Sequence, residues 1–153
     1  MILRNNQVKI LWIIITGILC SLVCACNQSD LTLIEQNGKW GYINSKKKVV
    51  ILPKFDDALP FSEKLAAIKM RNQWGYIDGK GRVVIPPKFD DAYDFLQGLA
   101  RVKMDNKYGF IDKTGKVIIK PQFDWASDFS DGVAHVFAEG KQNYIELDQY
   151  IQK

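Results

Sequence analysis

The sequence predicts an all-β protein built as an array of antiparallel β-meander repeats. The chain matches itself when it is shifted by 34 residues, which is typical of a repeat architecture. Within each unit, short alternating or β-branched segments are separated by turn residues, and no 3.6-residue helical pattern competes with them. The composition, with 47% apolar and 25% charged residues among 153, is that of a globular protein. We expect an open, solenoid-like ribbon of sheets, with a propeller-like arrangement as the alternative.

The beginning of the chain is predicted to be an export signal. Arg4 and Lys9 form a basic start, and residues 10–23 are almost wholly apolar, which is the pattern of a secretory signal or anchor helix. We therefore expect a signal peptide at residues 1–25 and export of the rest of the chain. The alternative is an uncleaved membrane helix, because the uncharged stretch 10–29 is just long enough to span a bilayer.

The end of this apolar stretch resembles a bacterial lipobox. Residues 23–26 read Val-Cys-Ala-Cys, and the resemblance implies that Cys26 carries the lipid, with acyl chains such as palmitate, after cleavage behind Ala25. Residues 26–30 then form a lipidated tether. Four extended residues reach roughly 14 Å, so we expect the domain to lie close to the membrane on the exported side, at either the inner or the outer membrane.

The remainder of the chain, residues 31–153, is predicted to be the repeat domain. Three units span 31–64, 65–98 and 99–132, and a partial fourth unit spans 133–153. They align without a gap. Because all cysteines lie before the domain, its stability has to come from packing and not from disulfides.

Unit three illustrates the elements expected in each unit. In order, they are strands at 99–104, 107–112 and 116–119, joined by a turn at 105–106 and a tight reversal at 112–115. Alternation of apolar and charged residues indicates the first strand, and β-branched residues indicate the third. Pro121 is expected to end ladder pairing, because proline has no N–H donor. Residues 122–132 are expected to form a connecting loop.

A glycine between two aromatic residues of the second strand indicates a close backbone approach. Gly75 lies between Trp74 and Tyr76, and side chains alternate along a strand, so it faces away from both rings. Glycine weakens a strand interior. We therefore expect another layer, or an aromatic ring of a neighbouring repeat, to pack against the backbone at this position.

The recurrent aromatic residues are the main candidate binding residues. They are Trp40, Tyr42, Trp74, Tyr76, Tyr108 and Phe110. Because an array without disulfides needs a large buried apolar area, we expect these rings to form the core. Exposed rings would instead form a stacking ladder for sugars or a peptide. If the rings are buried, recognition is expected on outward cations such as Lys69, Arg101, Lys103 and the turn lysines.

No pattern in the sequence indicates catalysis or a cofactor. Adjacent acids such as Asp56 and Asp57 point apart on an extended chain, so we interpret them as turn residues. His135 has no cysteine or second histidine near it in the domain with which to bind a metal. Asp78 recurs in unit three but is Asn44 in unit one, which argues against a repeated calcium site. A net charge of +4 is too small and too dispersed for a nucleic-acid-binding protein.

The repeated motifs resemble those of bacterial WG-repeat proteins, also called KWG-repeat proteins. The motif Trp-Gly-Tyr-Ile, followed by Val-Val-Ile-x-Pro-x-Phe-Asp-Asp-Ala, begins at Trp40 and again at Trp74, and Tyr108 replaces the tryptophan in unit three. The resemblance covers about residues 31–145. It implies a β-rich repeat domain, often on exported or membrane-attached proteins, that binds a partner and has no shared enzymatic activity. We therefore expect a membrane-anchored, non-enzymatic module that binds another envelope protein, with binding of cell-wall glycan through the aromatic residues as the alternative.

Overall fold

Strands make up most of the chain that the computed structural model describes, residues 31–150. The predicted signal peptide (1–25), Cys26 and the tether (26–30) lie outside the described residues, as do residues 151–153. Within 31–150 no helix is long and apolar enough to cross a membrane. One short 3-10 helix, Leu147–Gln149, follows the last strand.

The strands form four antiparallel sheets in chain order. The first sheet contains β1 (Thr32–Gln36), β2 (Lys39–Ile43) and β3 (Val49–Phe55). The second contains β4 (Asp57–Ala58), β5 (Leu65–Met70), β6 (Gln73–Asp78) and β7 (Val83–Phe89). The third contains β8 (Asp91–Leu96), β9 (Leu99–Met104), β10 (Lys107–Asp112) and β11 (Val117–Phe123). The fourth contains β12 (Trp125–Ala126), β13 (Val133–Ala138) and β14 (Lys141–Glu146). Neighbouring strands in every sheet are also neighbours in sequence, so the predicted array of antiparallel meanders is confirmed.

The chain enters each new sheet earlier than the sequence predicts. The expected connecting loop at 122–132 contains β12, and the equivalent stretch of the preceding unit contains the six-residue strand β8, which pairs with β9. A single residue makes each corner between sheets, namely Asp56, Asp90 and Asp124. Even these residues donate their N–H groups to the next sheet. The loop prediction is therefore wrong, because pairing with the following hairpin satisfies backbone groups that a loop would leave to water.

The prediction that Pro121 ends the third strand is also wrong. Strand β11 continues through it, and Phe123 pairs with Tyr108. The next pair along the ladder is Phe110 with Ile119, so three residues of β11 oppose one residue of β10. Pro121 lies in this β-bulge, where its missing N–H group does not interrupt a regular ladder. The same register shift occurs in the first two sheets.

The bulge explains the glycine of the second strand. A Cβ atom added to Gly75 would lie 2.5 Å from the carbonyl oxygen of Ile85 and 2.6 Å from the backbone nitrogen of Pro87. Gly41 and Gly109 face the equivalent atoms of their own sheets. The expected close approach is confirmed, but the neighbour is the third strand of the same sheet and not another layer or a ring from a neighbouring repeat.

Successive sheets share three hydrophobic cores. In the first core, Tyr42 and Phe55 of the first sheet are clustered with Ile68 and Ile77 of the second. The second and third cores use the residues one and two repeats further on; they are Tyr76, Phe89, Val102 and Ile111, and then Phe110, Phe123, Val136 and Ile145. The second and third sheets each contribute residues to two cores, so both of their faces are buried.

The turn before each third strand packs on the preceding sheet. Gly81 and Gly115 have left-handed backbones, with φ angles of 76° and 85°. Added Cβ atoms there would lie 3.1 Å from the side chains of Ile51 and Ile85 in the preceding sheet. Lys47 takes the same left-handed conformation in the first sheet, where no earlier sheet lies within the described part of the chain.

Hydrogen bonds between the hairpin turns also repeat from unit to unit. The carboxylate of Glu63 accepts the N–H of Gly98 at 3.0 Å, and the side-chain oxygen of Gln97 accepts the N–H of Gly132 at 3.1 Å. The acceptor and donor are 35 residues apart in both cases. These bonds join the turns of adjacent sheets and support the stacking of the cores.

Replacing Gly75 by alanine should lower the free energy of unfolding by about 3 kcal/mol or more, because the new Cβ would overlap rigid backbone of β7. Gly79→Ala is the matched control, since nothing lies within 4 Å of its added Cβ, and it should change stability by less than about 0.5 kcal/mol. Urea denaturation followed by tryptophan fluorescence measures both. Equal stabilities of the two variants would contradict the contact.

Candidate binding surface

The structure places most of the recurrent aromatic residues in the cores. Tyr42 and Tyr76 have no exposed surface, and Phe110 is 1% exposed. Trp74 is buried as well. The half-buried members of the series are Trp40 and Tyr108. A ladder of rings for stacking would need accessible faces at these positions, so a binding surface has to be sought on other side chains.

The two buried tyrosines hold the connections to the next sheet. The hydroxyl of Tyr42 donates to the carbonyl oxygen of Leu59, and that of Tyr76 donates to the carbonyl oxygen of Tyr93, both at 2.8 Å. Burial is the main reason why the pKa values of both hydroxyls lie well above their ordinary value. Phe110, at the equivalent position of the third sheet, has no hydroxyl to donate.

The paired acids of the corners have separate structural roles. One carboxylate oxygen of Asp56 lies 2.5 Å from the Lys39 ammonium, and the other accepts the N–H of Arg71 at 2.8 Å. These two hydrogen bonds hold the pKa of Asp56 below its usual range. The carboxylate of Asp57 accepts the N–H of Ala58 at 2.8 Å. Thus Asp57 makes a local backbone bond of the expected kind, whereas Asp56 reaches a turn fifteen residues later.

The polar residue that ends each second strand closes a tight turn. The side-chain oxygen of Asn44 accepts the N–H groups of Lys46 and Lys48, both at 3.0 Å. Asp78 and Asp112 make the same pair of bonds in the next two sheets. Among residues 31–150, no group of three or more histidine, cysteine or acidic side chains is placed to hold a metal ion.

Arg101 was expected to face outward but is largely buried, with 11% of its side chain exposed. Its guanidinium lies 3.7 Å from the centre of the Tyr93 ring, and its Nε donates to a carboxylate oxygen of Asp128 at 3.1 Å. It also donates to the carbonyl oxygen of Ala126. Arg101 therefore ties the third sheet to the fourth and is not free for a partner. His135, at the equivalent position of the fourth sheet, is exposed.

The two other strand cations expected to take part in recognition also contact the protein itself. The ammonium group of Lys69 lies 5.8 Å from the centre of the Trp74 ring, and that of Lys103 lies 5.3 Å from the centre of the Tyr108 ring. Both distances are within the range of cation–π attraction. These lysines are half-buried, which leaves the turns and third strands as the more accessible cationic surface.

Charge is segregated along each unit. Ten lysine and arginine residues and no aspartate or glutamate occur in the stretches 45–54, 79–88 and 113–122. Each stretch covers a turn and most of a third strand, and these strands are the edges of their sheets. Each later stretch packs on the one before it, since Gly81 approaches Ile51 and Gly115 approaches Ile85. The three stretches therefore adjoin one another along the array. We call this surface the basic side.

The corners and connections carry the opposite charge. Nine aspartate and glutamate residues and no lysine or arginine occur in the stretches 56–63, 90–97 and 124–131. Several of these acids are used within the fold, including Asp56, Glu63 and Asp128. The array therefore has an acidic side built largely for structure and a basic side whose cations are largely exposed.

Two equivalent grooves lie beside the third strands. The first, about 360 Å³, is lined by Met70, Arg71, Val83 and Pro87. The second, about 480 Å³, is lined by Met104, Asp105, Lys107, Val117, Lys120 and Pro121. The methionine, valine and proline occupy the same positions in both units. Val83 is 50% exposed and Val117 is 40% exposed, so the apolar lining is accessible.

Comparison with known families agrees with this repeat structure. Residues 40–74, 74–108 and 108–141 each match the family model described as WG containing repeat. The matched segments follow the 34-residue period and together cover about two thirds of the chain. No curated protein and no solved structure matches the chain.

The free energy of unfolding should decrease as the pH rises above about 10. The folded pKa values of Tyr42 and Tyr76 lie above those of the unfolded chain, so their contribution is complete below the unfolded pKa and is lost as the pH rises toward the folded value. Tyr76→Phe should show a smaller decrease between about pH 8 and about pH 11 in urea denaturation. At neutral pH it should cost about 1–2 kcal/mol, because the carbonyl of Tyr93 loses its donor. An unchanged pH dependence in Tyr76→Phe would contradict this interpretation.

Proposed function

The chain belongs to the WG-repeat family, and we propose on this basis that it is a non-enzymatic binding module of the bacterial envelope, attached to the membrane through a lipid on Cys26. The basic side is the observation that carries the binding role. Its cations recur in three successive units, on the edges and turns that the stacked cores leave exposed.

Six of the ten cations of the basic side form neither an ion pair nor a cation–π contact among residues 31–150. Lys54 and Lys88 each lie 5.2 Å from the centre of the neighbouring phenylalanine ring. Among the described residues, two of the ten form ion pairs, Arg82 with Asp78 at 2.6 Å and Lys113 with Glu63 at 2.9 Å. Clustered like charges repel one another and reduce the stability of the compact state. This repulsion recurs in every unit, and most of the cations make no stabilising contact that would offset it, which supports a role in binding a partner of opposite charge.

A protein partner fits the surface better than a glycan recognised by stacking. Stacking on sugar rings through the recurrent aromatic residues would need those rings exposed, and Tyr42, Tyr76 and Phe110 are in the cores. Asp56, which invited a catalytic interpretation, and Asp78, which invited a calcium-binding one, are engaged by turn N–H groups and neighbouring cations. A binding role without catalysis accounts for both the buried rings and the engaged acids.

A lipid on Cys26 would keep the partner near the membrane. Only four residues separate Cys26 from residue 31, where the described domain begins. A lipid on this cysteine would hold the domain within roughly 14 Å of the bilayer surface. The partner is therefore expected to be a membrane-proximal envelope protein on the exported side, at the inner or the outer membrane.

Growth with an alkyne-tagged fatty acid should label the wild-type protein through Cys26. Cys26→Ala should lose the label, whereas Cys24→Ala, the matched control two residues away, should retain it. In-gel fluorescence after coupling a dye to the alkyne measures both. An unlabelled wild-type protein, or label that persists in Cys26→Ala, would contradict the lipid anchor.

Reversing charge on the basic side should reduce capture of the partner from cross-linked membranes. Lys80→Glu combined with Lys116→Glu should lower the amount captured by about fivefold or more, because complementary charge steers and orients association. The matched control is Lys64→Glu with Lys141→Glu, two exposed lysines outside the basic side. Equal capture by all three proteins, each with a native circular dichroism spectrum, would contradict binding through this surface.

A further inference from the structure

We propose that the basic side binds an extended acidic segment of a partner protein, whose apolar side chains enter the two grooves of the second and third sheets. This inference rests on the proposed binding function and specifies the chemistry of the partner. It is carried by three features that coincide on one surface: the pair of equivalent apolar grooves, the unpaired cations around them, and edge strands that contain proline.

The grooves supply the apolar part of the recognition. Methionine, valine and proline line each of them at equivalent positions, and methionine adapts its shape to different apolar side chains. Val83 and Val117 are 50% and 40% exposed, on edge strands in which two of seven residues are buried. Covering these side chains would remove apolar surface from water, which favours binding.

The cations supply the charged part. Arg71 lines the first groove and Lys120 lines the second, while Lys80 and Lys116 lie in the turns that lead into the same third strands. None of these four appears in an ion pair among residues 31–150. Carboxylates between the apolar residues of a ligand would therefore meet unpaired positive charge.

Two acids lie near the second groove and set its charge. Asp105 is part of the lining, and Asp124 pairs with Lys107. The first groove has Arg71 where the second has Asp105. The first groove also has an acid beside it, because the carboxylate of Asp56 accepts the N–H of Arg71. The second groove has Lys107 and Lys120 in its lining, so the two grooves differ little in net charge.

The repeat sets the spacing of the ligand. Face-to-face sheets pack about 10 Å apart. A ligand in the polyproline II conformation is extended, rises about 3.1 Å per residue and has three residues per turn, so every third side chain points the same way. Apolar side chains about three residues apart would then reach both grooves, with two acidic residues between them. This predicts a ligand pattern of one apolar residue followed by two acidic residues.

The edge strands favour docking of side chains over addition of a strand. The third strands contain Pro53, Pro86, Pro87 and Pro121, and proline cannot donate to a new ladder. An anionic membrane surface would also attract the lysines, but flat headgroups would leave the grooves unfilled. The two grooves therefore favour a peptide over a lipid surface.

The test uses the full-length protein in phosphatidylcholine nanodiscs and a fluorescein-labelled peptide of about four Leu-Asp-Glu repeats. Fluorescence anisotropy should show that this peptide binds at least about tenfold more tightly than a Ser-Asp-Glu peptide of the same charge. A Leu-Lys-Lys peptide should not bind. Val83→Asp with Val117→Asp should weaken binding of the Leu-Asp-Glu peptide at least about tenfold, and Leu96→Asp, an exposed leucine on the acidic side, should leave it unchanged.

The remaining outcomes overturn the inference in distinguishable ways. Equal binding of the two acidic peptides would remove the role of the grooves. The basic side would be assigned to the membrane by two results together. No peptide would bind, and the protein would float with phosphatidylglycerol vesicles in a way that Lys80→Glu with Lys116→Glu abolishes but Val83→Asp with Val117→Asp does not. If no peptide binds but an envelope protein is still captured in a charge-dependent way, the peptide pattern is rejected and the proposed binding function is retained.

Discussion

The backbone of each third strand crosses directly over a glycine of the second strand, and the stacking of the sheets depends on this contact. In the second sheet the carbonyl oxygen of Ile85 would lie 2.5 Å from a Cβ on Gly75. If the register after the pair Tyr76–Ile85 ran on unshifted, Trp74 would lie opposite Pro87; the bulge brings Phe89 opposite Trp74 instead. The bulge thus places Phe89 in the core shared with the next sheet and leaves the proline where no N–H donor is required.

Burial on both faces of the inner sheets restricts where function can lie. Most apolar side chains on either face of the second and third sheets are committed to the cores, and so are most of the aromatic residues that first suggest binding. What stays exposed is the set of turns and third-strand edges, together with the corners. Charge divides these two sets, since the edges carry cations and the corners carry acids that bond to turns. Binding is therefore favoured on the edges.

Departures from the repeat have structural consequences of their own. Arg101 replaces the buried Ala67 of the preceding sheet, and Tyr93 replaces Leu59. Asp128, which accepts from Arg101, has an aspartate at the equivalent position one repeat earlier, Asp94. Two substitutions and a retained aspartate therefore make this contact between the third and fourth sheets. Arg101 was predicted to be an outward cation because alternation along a strand reports only its side of the sheet, and not whether another sheet covers that side.

The sequence by itself determined the repeat period, the three main strands of each unit, the core role of most aromatic residues and the close approach at the glycine, because alternation, β-branching and glycine placement are read over a few neighbouring residues. The three basic stretches can also be identified from the sequence alone. Only the tertiary structure decided where one sheet ends and the next begins, that Pro121 lies in a bulge and that Arg101 is covered. It also decided that the basic stretches of successive units adjoin one another and lie beside the two grooves. These features depend on pairing and stacking between residues distant along the chain, and the geometry of such contacts is set when the sheets pack together.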